Sequence, residues 1–206
     1  LEPVEASLPV VEPDGVIAWN AARAAFELAI VDVLARRQGL SLAEILPPKR
    51  SVVFYSGVIS SGTIDSAVRL AKMCVELGVP AIKIKIAGDD ALERVAAVRE
   101  VVGSSVSLRV DANGAYDVDR AIDILKQLAA LSVECAEQPI PRGAPEELAA
   151  VQAGSPIPVM ADESLVTVED GRALVAARAC EYFNLRVSKC GGLRRTLKIA
   201  GEAQRA

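Results

Sequence analysis

Five charged residues recur along this sequence at a nearly constant spacing. They are Lys85, Asp111, Glu137, Asp162 and Lys189. Neighbouring members are separated by 26, 26, 25 and 27 residues, and each follows a short apolar stretch. Taken singly, each one has an ordinary explanation as a turn, a strand edge or a solvated loop residue. Those explanations do not account for the regular spacing, so these five positions are the candidates for chemistry.

The residue types indicate metal-assisted proton transfer. Three carboxylates, Asp111, Glu137 and Asp162, supply the hard oxygen ligands that Mg²⁺ prefers, with Mn²⁺ as an alternative. A bound ion would polarise a substrate carboxylate and stabilise the enediolate that forms when the α-proton leaves. Lys85 and Lys189 would stand on opposite faces of the substrate as general acids or bases. A nearby cation is expected to lower a lysine pKa, which makes a neutral base accessible near pH 7.

Alternating strands and helices must position these residues. The predicted strands are 51–56, 81–86, 106–110, 133–136, 157–160 and 182–187, and the predicted helices are 64–77, 90–102, 118–131, 145–153, 168–176 and 193–204. Short links between strand and helix predict βα units and a parallel sheet. The second to sixth of these units are predicted to end at the five charged residues, in the order Lys85, Asp111, Glu137, Asp162 and Lys189. Residues in equivalent positions at the carboxyl ends of neighbouring parallel strands converge on one mouth of the sheet.

The number of units leaves two topologies open. Six βα units are predicted, whereas a closed (β/α)₈ barrel needs eight. An open doubly wound sheet competes on topology alone, but neither a GxGxxG nor a GxxxxGK[ST] motif is present. Before the repeat, apolar spacing predicts a helix over 17–38, and Ser41 with Glu44 predicts a capping box.

Short motifs surround the five charged positions. They are Lys83-Ile84-Lys85, Asp111-Ala112-Asn113, Glu137-Gln138-Pro139, Asp162-Glu163 and Lys189-Cys190-Gly191-Gly192. In this order they resemble the KxK, DxN, ExP, DE and KxGG motifs of the muconate-lactonizing subgroup of the enolase superfamily, within the mandelate racemase and muconate lactonizing enzyme family. One motif alone is weak, whereas five in order are specific, and the resemblance covers essentially the whole chain.

This resemblance implies a fold and a domain division. The fold is a TIM-type (β/α) barrel of the α/β class, incomplete with six βα units, preceded by the helical tail of an α+β capping domain. We expect residues 1–48 to form that tail and residues 49–206 to form the barrel domain, ending before strands 7 and 8. An open barrel of this size would expose two strand edges, so we expect the chain to be part of a longer polypeptide.

The resemblance also implies a role for each motif residue. The metal ligands are Asp111, Glu137 and Asp162, and the catalytic acid/base residues are Lys85 and Lys189. Lys83 would bind the substrate carboxylate or tune Lys85, which lies two residues away on the same strand face. Asn113 and Glu163 would orient the ligands and the lysines.

The implied activity is that of a Mg²⁺-dependent isomerase or lyase similar to muconate cycloisomerase. Alternatives within the subgroup are dipeptide epimerases, N-acylamino-acid racemases and o-succinylbenzoate synthases. An inactive truncated relative is a further alternative. A third interpretation is an acid-sugar dehydratase of the same superfamily, which would require a histidine base outside this chain, since the chain itself contains no histidine.

Composition excludes several other functions. The formal charge is only −4 and no Lys/Arg cluster occurs, so a nucleic-acid partner is not expected. The absence of histidine removes Ser-His-Asp triads and histidine zinc sites from these residues. Apolar stretches are too short to span a bilayer, and four scattered cysteines without a CxxC pair indicate a reducing compartment. We therefore expect a cytoplasmic protein without a nucleic-acid or membrane partner. The resemblance implies that it is a homo-oligomer with a small carboxylate substrate.

Overall fold

The computed structural model describes residues 19–60 and 62–205, which divide into two compact units. Among the described residues, the first unit is 19–53, Leu165–Arg172 and 185–205. The second unit is Phe54–Ser164 and Ala173–Asn184. The predicted division into 1–48 and 49–206 stays a prediction. None of the described helices is long and apolar enough to cross a membrane.

The second unit is built on a six-stranded parallel sheet. Its strands are β1 Ser56–Ile59, β2 Ala81–Lys85, β3 Ser107–Asp111, β4 Val133–Glu137, β5 Val159–Ala161 and β6 Tyr182–Phe183. The strands lie side by side in the order in which they occur in the chain. A doubly wound sheet reverses its strand order at a switch point, whereas barrel strands follow one another in sequence. The order therefore confirms the barrel class.

Helices alternate with the strands along the chain. They are α1 Asn20–Arg37, α2 Leu42–Ile45, α3 Ile64–Glu76, α4 Ala91–Val102, α5 Val118–Leu128, α6 Pro145–Gly154, α7 Val168–Ala176 and α8 Leu193–Arg205, with a 3₁₀ turn at Ala129–Leu131. Local chemistry explains where several of them begin. The side chains of Thr63 and Asp117 accept hydrogen bonds from the first turns of α3 and α5. Pro145 opens α6, where its missing N–H costs nothing.

Alternation along β2 separates the core from the polar face of the sheet. Ile82 and Ile84 are fully buried, while Lys83 and Lys85 point to the opposite face. On β3 the same alternation buries Leu108 and Val110 and places Asp111 on the face of the lysines. The charged side chains of neighbouring strands therefore share one face.

The first strand lies further along the chain than predicted. Residues 51–56 were expected to form it, but β1 is Ser56–Ile59 and the apolar residues 52–55 are exposed. Gly57 made this strand difficult to predict from the sequence, because glycine usually weakens a strand. Glycine fits this position because α3 packs so closely against the strand that a side chain has no room. A Cβ on Gly57 would lie 2.7 Å from Cys74 Sγ.

The sixth strand is shorter than predicted. It was expected over 182–187 but ends at Phe183. Its partner β5 ends at Ala161, whose carbonyl accepts a hydrogen bond from Asn184 N, so the chain beyond this point has no strand to pair with. The prediction that Lys189 ends the sixth strand is therefore wrong, because Lys189 lies in the turn before α8.

The first unit contains α1, α2 and α8. The predicted capping box is confirmed: Ser41 N donates to Glu44, and Ser41 Oγ accepts from Glu44 N. The predicted helix over 17–38 is confirmed as α1, although residues 17 and 18 lie outside the described residues. Its apolar stripe is exposed, with Phe26 at 67%, because the face that α1 buries carries polar side chains.

Candidate active site

Three of the predicted site residues are direct neighbours across the sheet. Lys85, Asp111 and Glu137 each end their strand, and the register pairs Lys85 with Asp111 and Asp111 with Glu137. Asp162 directly follows β5. The spacing of one βα period therefore brings these four positions to the carboxyl ends of neighbouring strands, as expected.

The three acids are buried, and two of them are paired with lysine. Asp111 is 1% exposed, while Glu137 and Asp162 are each 3% exposed. Lys83 Nζ donates to Asp111 Oδ2 at 3.0 Å and lies 3.3 Å from Glu137 Oε2, so its ammonium group bridges the two carboxylates. Lys85 Nζ donates to Asp111 Oδ2 at 2.6 Å. Buried carboxylates need such partners because burial without them is costly.

Asn113 connects Lys85 to Glu163. Its Oδ1 accepts from Lys85 Nζ at 2.5 Å, and its Nδ2 donates to Glu163 Oε1 at 3.0 Å. The Asn113 backbone has φ of 47°, a left-handed conformation that asparagine tolerates, and its N–H donates to Asp111 Oδ1. The amide is thereby fixed, and it gives the Lys85 ammonium a second acceptor beside Asp111.

Gln138 is a site residue whose role the sequence patterns did not show. It is fully buried, and its Nε2 donates to Ile140 O and Ser164 Oγ, both at 2.8 Å. Its Oε1 accepts from Asp162 N and Ser164 N, both at 3.0 Å. One side chain thus ties the end of β4 to the start of the Asp162 loop. The sequence feature that could have indicated this role is the position of Gln138 within the Glu137-Gln138-Pro139 motif.

Replacing Gln138 by alanine should destabilise the protein by about 3 kcal/mol, because several buried groups would lose their hydrogen-bond partner. Urea unfolding followed by circular dichroism would measure the loss. Gln127→Ala is the matched control, since Gln127 lies exposed on α5 and should change stability by less than about 0.5 kcal/mol. Equal stability of the two variants would show that the Gln138 network contributes nothing.

Asn184 is a second residue that the sequence patterns missed. Its Nδ2 donates to Glu137 Oε1 at 2.7 Å. It directly follows β6, so it occupies the strand-end position that was assigned to Lys189. The sequence feature that could have indicated its role is the presence of a polar residue within the predicted strand 182–187. Asn184 therefore orients the Glu137 carboxylate from the end of β6.

Lys189 lies in the first unit, in the turn that precedes α8. The other predicted site residues, namely Lys83, Lys85, Asp111, Asn113, Glu137, Asp162 and Glu163, all lie in the second unit. The predicted placement of Lys189 opposite Lys85 therefore stays a prediction.

The lysines and acids shift one another's titration. Burial acts to lower the pKa of Lys83, but the hydrogen bond to Asp111 and the charge of Glu137 outweigh it and hold this pKa above its usual value. Burial acts to raise the pKa of Asp111, but hydrogen bonds from Lys85 and Lys83 keep it below its usual value. The lowering of a lysine pKa that was expected beside a bound cation stays a prediction.

These shifts predict how stability depends on pH. A lowered pKa means that Asp111 contributes stability above its unfolded pKa of about 4, which is lost as the pH falls through the lower folded value. A raised pKa means that the Lys83 contribution is present below its unfolded pKa of about 10.4 and is lost as the pH rises through the folded value. We expect the difference in unfolding free energy between wild type and Asp111→Asn to shrink below about pH 4, measured by urea unfolding in EDTA. A difference that stays constant with pH would contradict this.

The residue types fit a divalent cation. As the described side chains stand, no three His, Cys, Asp or Glu residues form a group arranged to hold an ion, and Lys83 Nζ lies between two of the acids instead. Four acidic side chains, Asp111, Glu137, Asp162 and Glu163, bring negative charge to these strand ends. Glu163 Oε2 is buried without a hydrogen-bond partner among the described residues. A hard divalent cation would offset this charge.

Comparisons with known proteins find a family and several relatives that are similar to this chain. Residues 65–206 match the family described as enolase C-terminal domain-like. The D-Ala-D/L-Ala epimerase of Cytophaga hutchinsonii is 33% identical over 199 residues, which cover 94% of this chain and 54% of that protein. The chain thus spans about half the length of the relatives that it matches.

Solved structures share the fold, among them a muconate cycloisomerase and a dipeptide epimerase. The muconate cycloisomerase from Pseudomonas fluorescens superposes with a TM-score of 0.88 at 31% identity, covering 98% of this chain and 55% of that one. The dipeptide epimerase from Cytophaga hutchinsonii, solved with Mg and the dipeptide D-Ala-L-Val, gives a TM-score of 0.85 at 31% identity, covering 93% and 53%. Similarity therefore extends to both epimerases and cycloisomerases.

Proposed function

Because the chain belongs to the enolase C-terminal domain-like family, we propose that the whole protein is a Mg²⁺-dependent enzyme that moves a proton at the carbon α to a carboxylate. The observation that carries this proposal is the cluster of Lys85, Asp111 and Glu137 in register at three neighbouring strand ends. An ammonium group held against buried acids at a sheet mouth is costly as a purely structural device and typical of a functional site.

The proposed metal ligands are Asp111, Glu137 and Asp162. When bound, Mg²⁺ supplies a Lewis acid that stabilises negative charge on the substrate carboxylate. Asn184 would keep Glu137 in its orientation, and Gln138 would keep Asp162 in place through its backbone N–H. Lys83 is proposed to contact the substrate carboxylate, since its ammonium group already lies beside two carboxylates.

Lys85 is proposed as one acid/base group. As a neutral amine it takes the α-proton, and the electron pair of the C–H bond passes to the substrate carboxylate. Asn113 holds Nζ during this transfer, because its Oδ1 accepts a hydrogen bond from that atom. Lys189 is proposed as the second group, which as an ammonium returns a proton to the opposite face. The products are then the epimer and a lysine pair with exchanged protonation states.

The substrate class is proposed to be dipeptides or N-acyl amino acids. Support comes from the named activity of the epimerase relative. Transfer between two faces of one carbon would use both lysines. Cycloisomerisation of muconate is the second candidate, favoured by the TM-score of 0.88 to a muconate cycloisomerase. Lactonisation needs only one acid/base lysine, so the two candidates differ in their dependence on the second one.

The test is α-proton exchange by the whole protein in D₂O with Mg²⁺. NMR would follow a panel of L- and D-configured dipeptides and N-acyl amino acids, and ultraviolet absorbance would follow muconate. We expect exchange with at least one member of the panel and its loss in EDTA, restored by added Mg²⁺. Neither exchange nor lactonisation with any substrate would overturn the proposed function.

A further inference from the structure

The turn that follows Lys189 lies close against α1. Gly191 and Gly192 have φ of 78° and 122°, which favour glycine. A Cβ on Gly191 would lie 2.7 Å from Asn20 Oδ1, and a Cβ on Gly192 would overlap the Glu27 carboxylate. The two glycines are therefore required by the backbone conformation and also by the approach of α1.

Polar side chains of α1 bind this turn through its backbone. Asn20 Nδ2 donates to Lys189 O at 2.8 Å. Glu27 Oε2 accepts from Leu193 N at 2.5 Å, and Glu27 Oε1 accepts from Arg194 N at 3.2 Å. Gly192 has no side chain with which to cap α8, so Glu27 provides the cap from another helix. A carboxylate at this end is also favoured by the helix dipole.

The side chains of α1 that make these contacts are buried. Asn20 is fully buried and Glu27 is 4% exposed, whereas the apolar Phe26 between them is exposed. A helix packed only for its hydrophobic face would show the reverse. Buried polar groups are costly unless they are hydrogen-bonded, and the hydrogen bonds of Asn20 and Glu27 join α1 to the residues around Lys189.

We propose that Asn20 and Glu27 are positioning residues that set the backbone of Lys189 for proton transfer. Asn20 holds the carbonyl of Lys189 itself, and Glu27 holds the start of α8 four residues later. The inference rests on the proposed acid/base role of Lys189. A displacement of a catalytic group by about 1 Å lowers a rate by about 100-fold, so loosening this turn should slow the transfer made by Lys189.

The test uses the two faces of the substrate in the whole protein. If Lys85 and Lys189 each remove the α-proton of one epimer, exchange in D₂O from the L epimer and from the D epimer reports the two lysines separately. Lys189→Ala first identifies the epimer that depends on Lys189. We expect Asn20→Ala and Glu27→Gln to lower kcat for that epimer by about 10- to 100-fold, with KM unchanged, and to leave the other epimer within about twofold.

Control variants keep this test decisive. Glu27→Gln preserves the size of the side chain, and circular dichroism would verify that it folds. Asp32→Asn removes a carboxylate that pairs with Arg36 on the surface of α1, and it should leave both epimers unchanged. Equal losses for both epimers, or no loss, would overturn the inference while leaving the proposed function standing. A wild type that exchanges neither epimer would overturn the inference, and the proposed function falls with it only if muconate is not lactonised either.

Discussion

Lys85→Met is expected to lower kcat for α-proton exchange by about 10²- to 10⁴-fold, the contribution typical of a positioned general acid or base. Methionine keeps much of the length of the side chain and removes the amine. Asp111 retains its bond from Lys83 Nζ at 3.0 Å, so the fold should survive the change. Deuterium incorporation from each epimer in D₂O would measure the rate, and the largest loss should fall on one epimer.

Lys72→Met is the matched control for this variant. Lys72 lies exposed on α3, and its replacement should leave exchange within about twofold of wild type. If Lys85→Met kept more than a tenth of the wild-type rate with both epimers, Lys85 would not be an acid/base residue. Lys83→Met offers a contrast: if Lys83 contacts the substrate carboxylate, its loss should raise KM more than it lowers kcat.

Glu137→Gln is expected to weaken Mg²⁺ binding by more than about 100-fold, beyond the effect usual for residues that only support a ligand. The substitution removes a buried negative charge that a hard cation requires. Calorimetric titration of Mg²⁺ into EDTA-treated and dialysed protein would measure the affinity. Exchange activity should fall in parallel, and high Mg²⁺ should restore it only in part.

Two further variants give the comparison, one with no expected effect on Mg²⁺ affinity and one with a smaller expected effect. Glu134→Gln removes an exposed carboxylate three residues earlier on the same strand and should leave Mg²⁺ affinity unchanged. Asn184→Ala removes the hydrogen bond to Glu137 Oε1 and should cost about 10- to 100-fold in affinity. Mg²⁺ binding by Glu137→Gln at wild-type affinity would remove Glu137 from the ligand set.

Repeated spacing made the chemistry of this chain visible in its sequence. Parallel strands joined by similar helices bring residues one period apart to neighbouring positions, so the spacing alone predicted that Lys85, Asp111 and Glu137 lie together. The parallel sheet was equally accessible, since alternating strands and helices predict it. Local capping chemistry likewise predicted the Ser41 and Glu44 box.

Tertiary structure decided where the strands end and what holds the site. Strand limits depend on the partner strand, which is why β1 begins at Ser56 and β6 ends at Phe183 against sequence expectation. The hydrogen bonds of Gln138, Asn184 and Glu27 join residues 24, 47 and 166 positions apart. Periodicity describes one element at a time, whereas these contacts arise only when separate elements pack together.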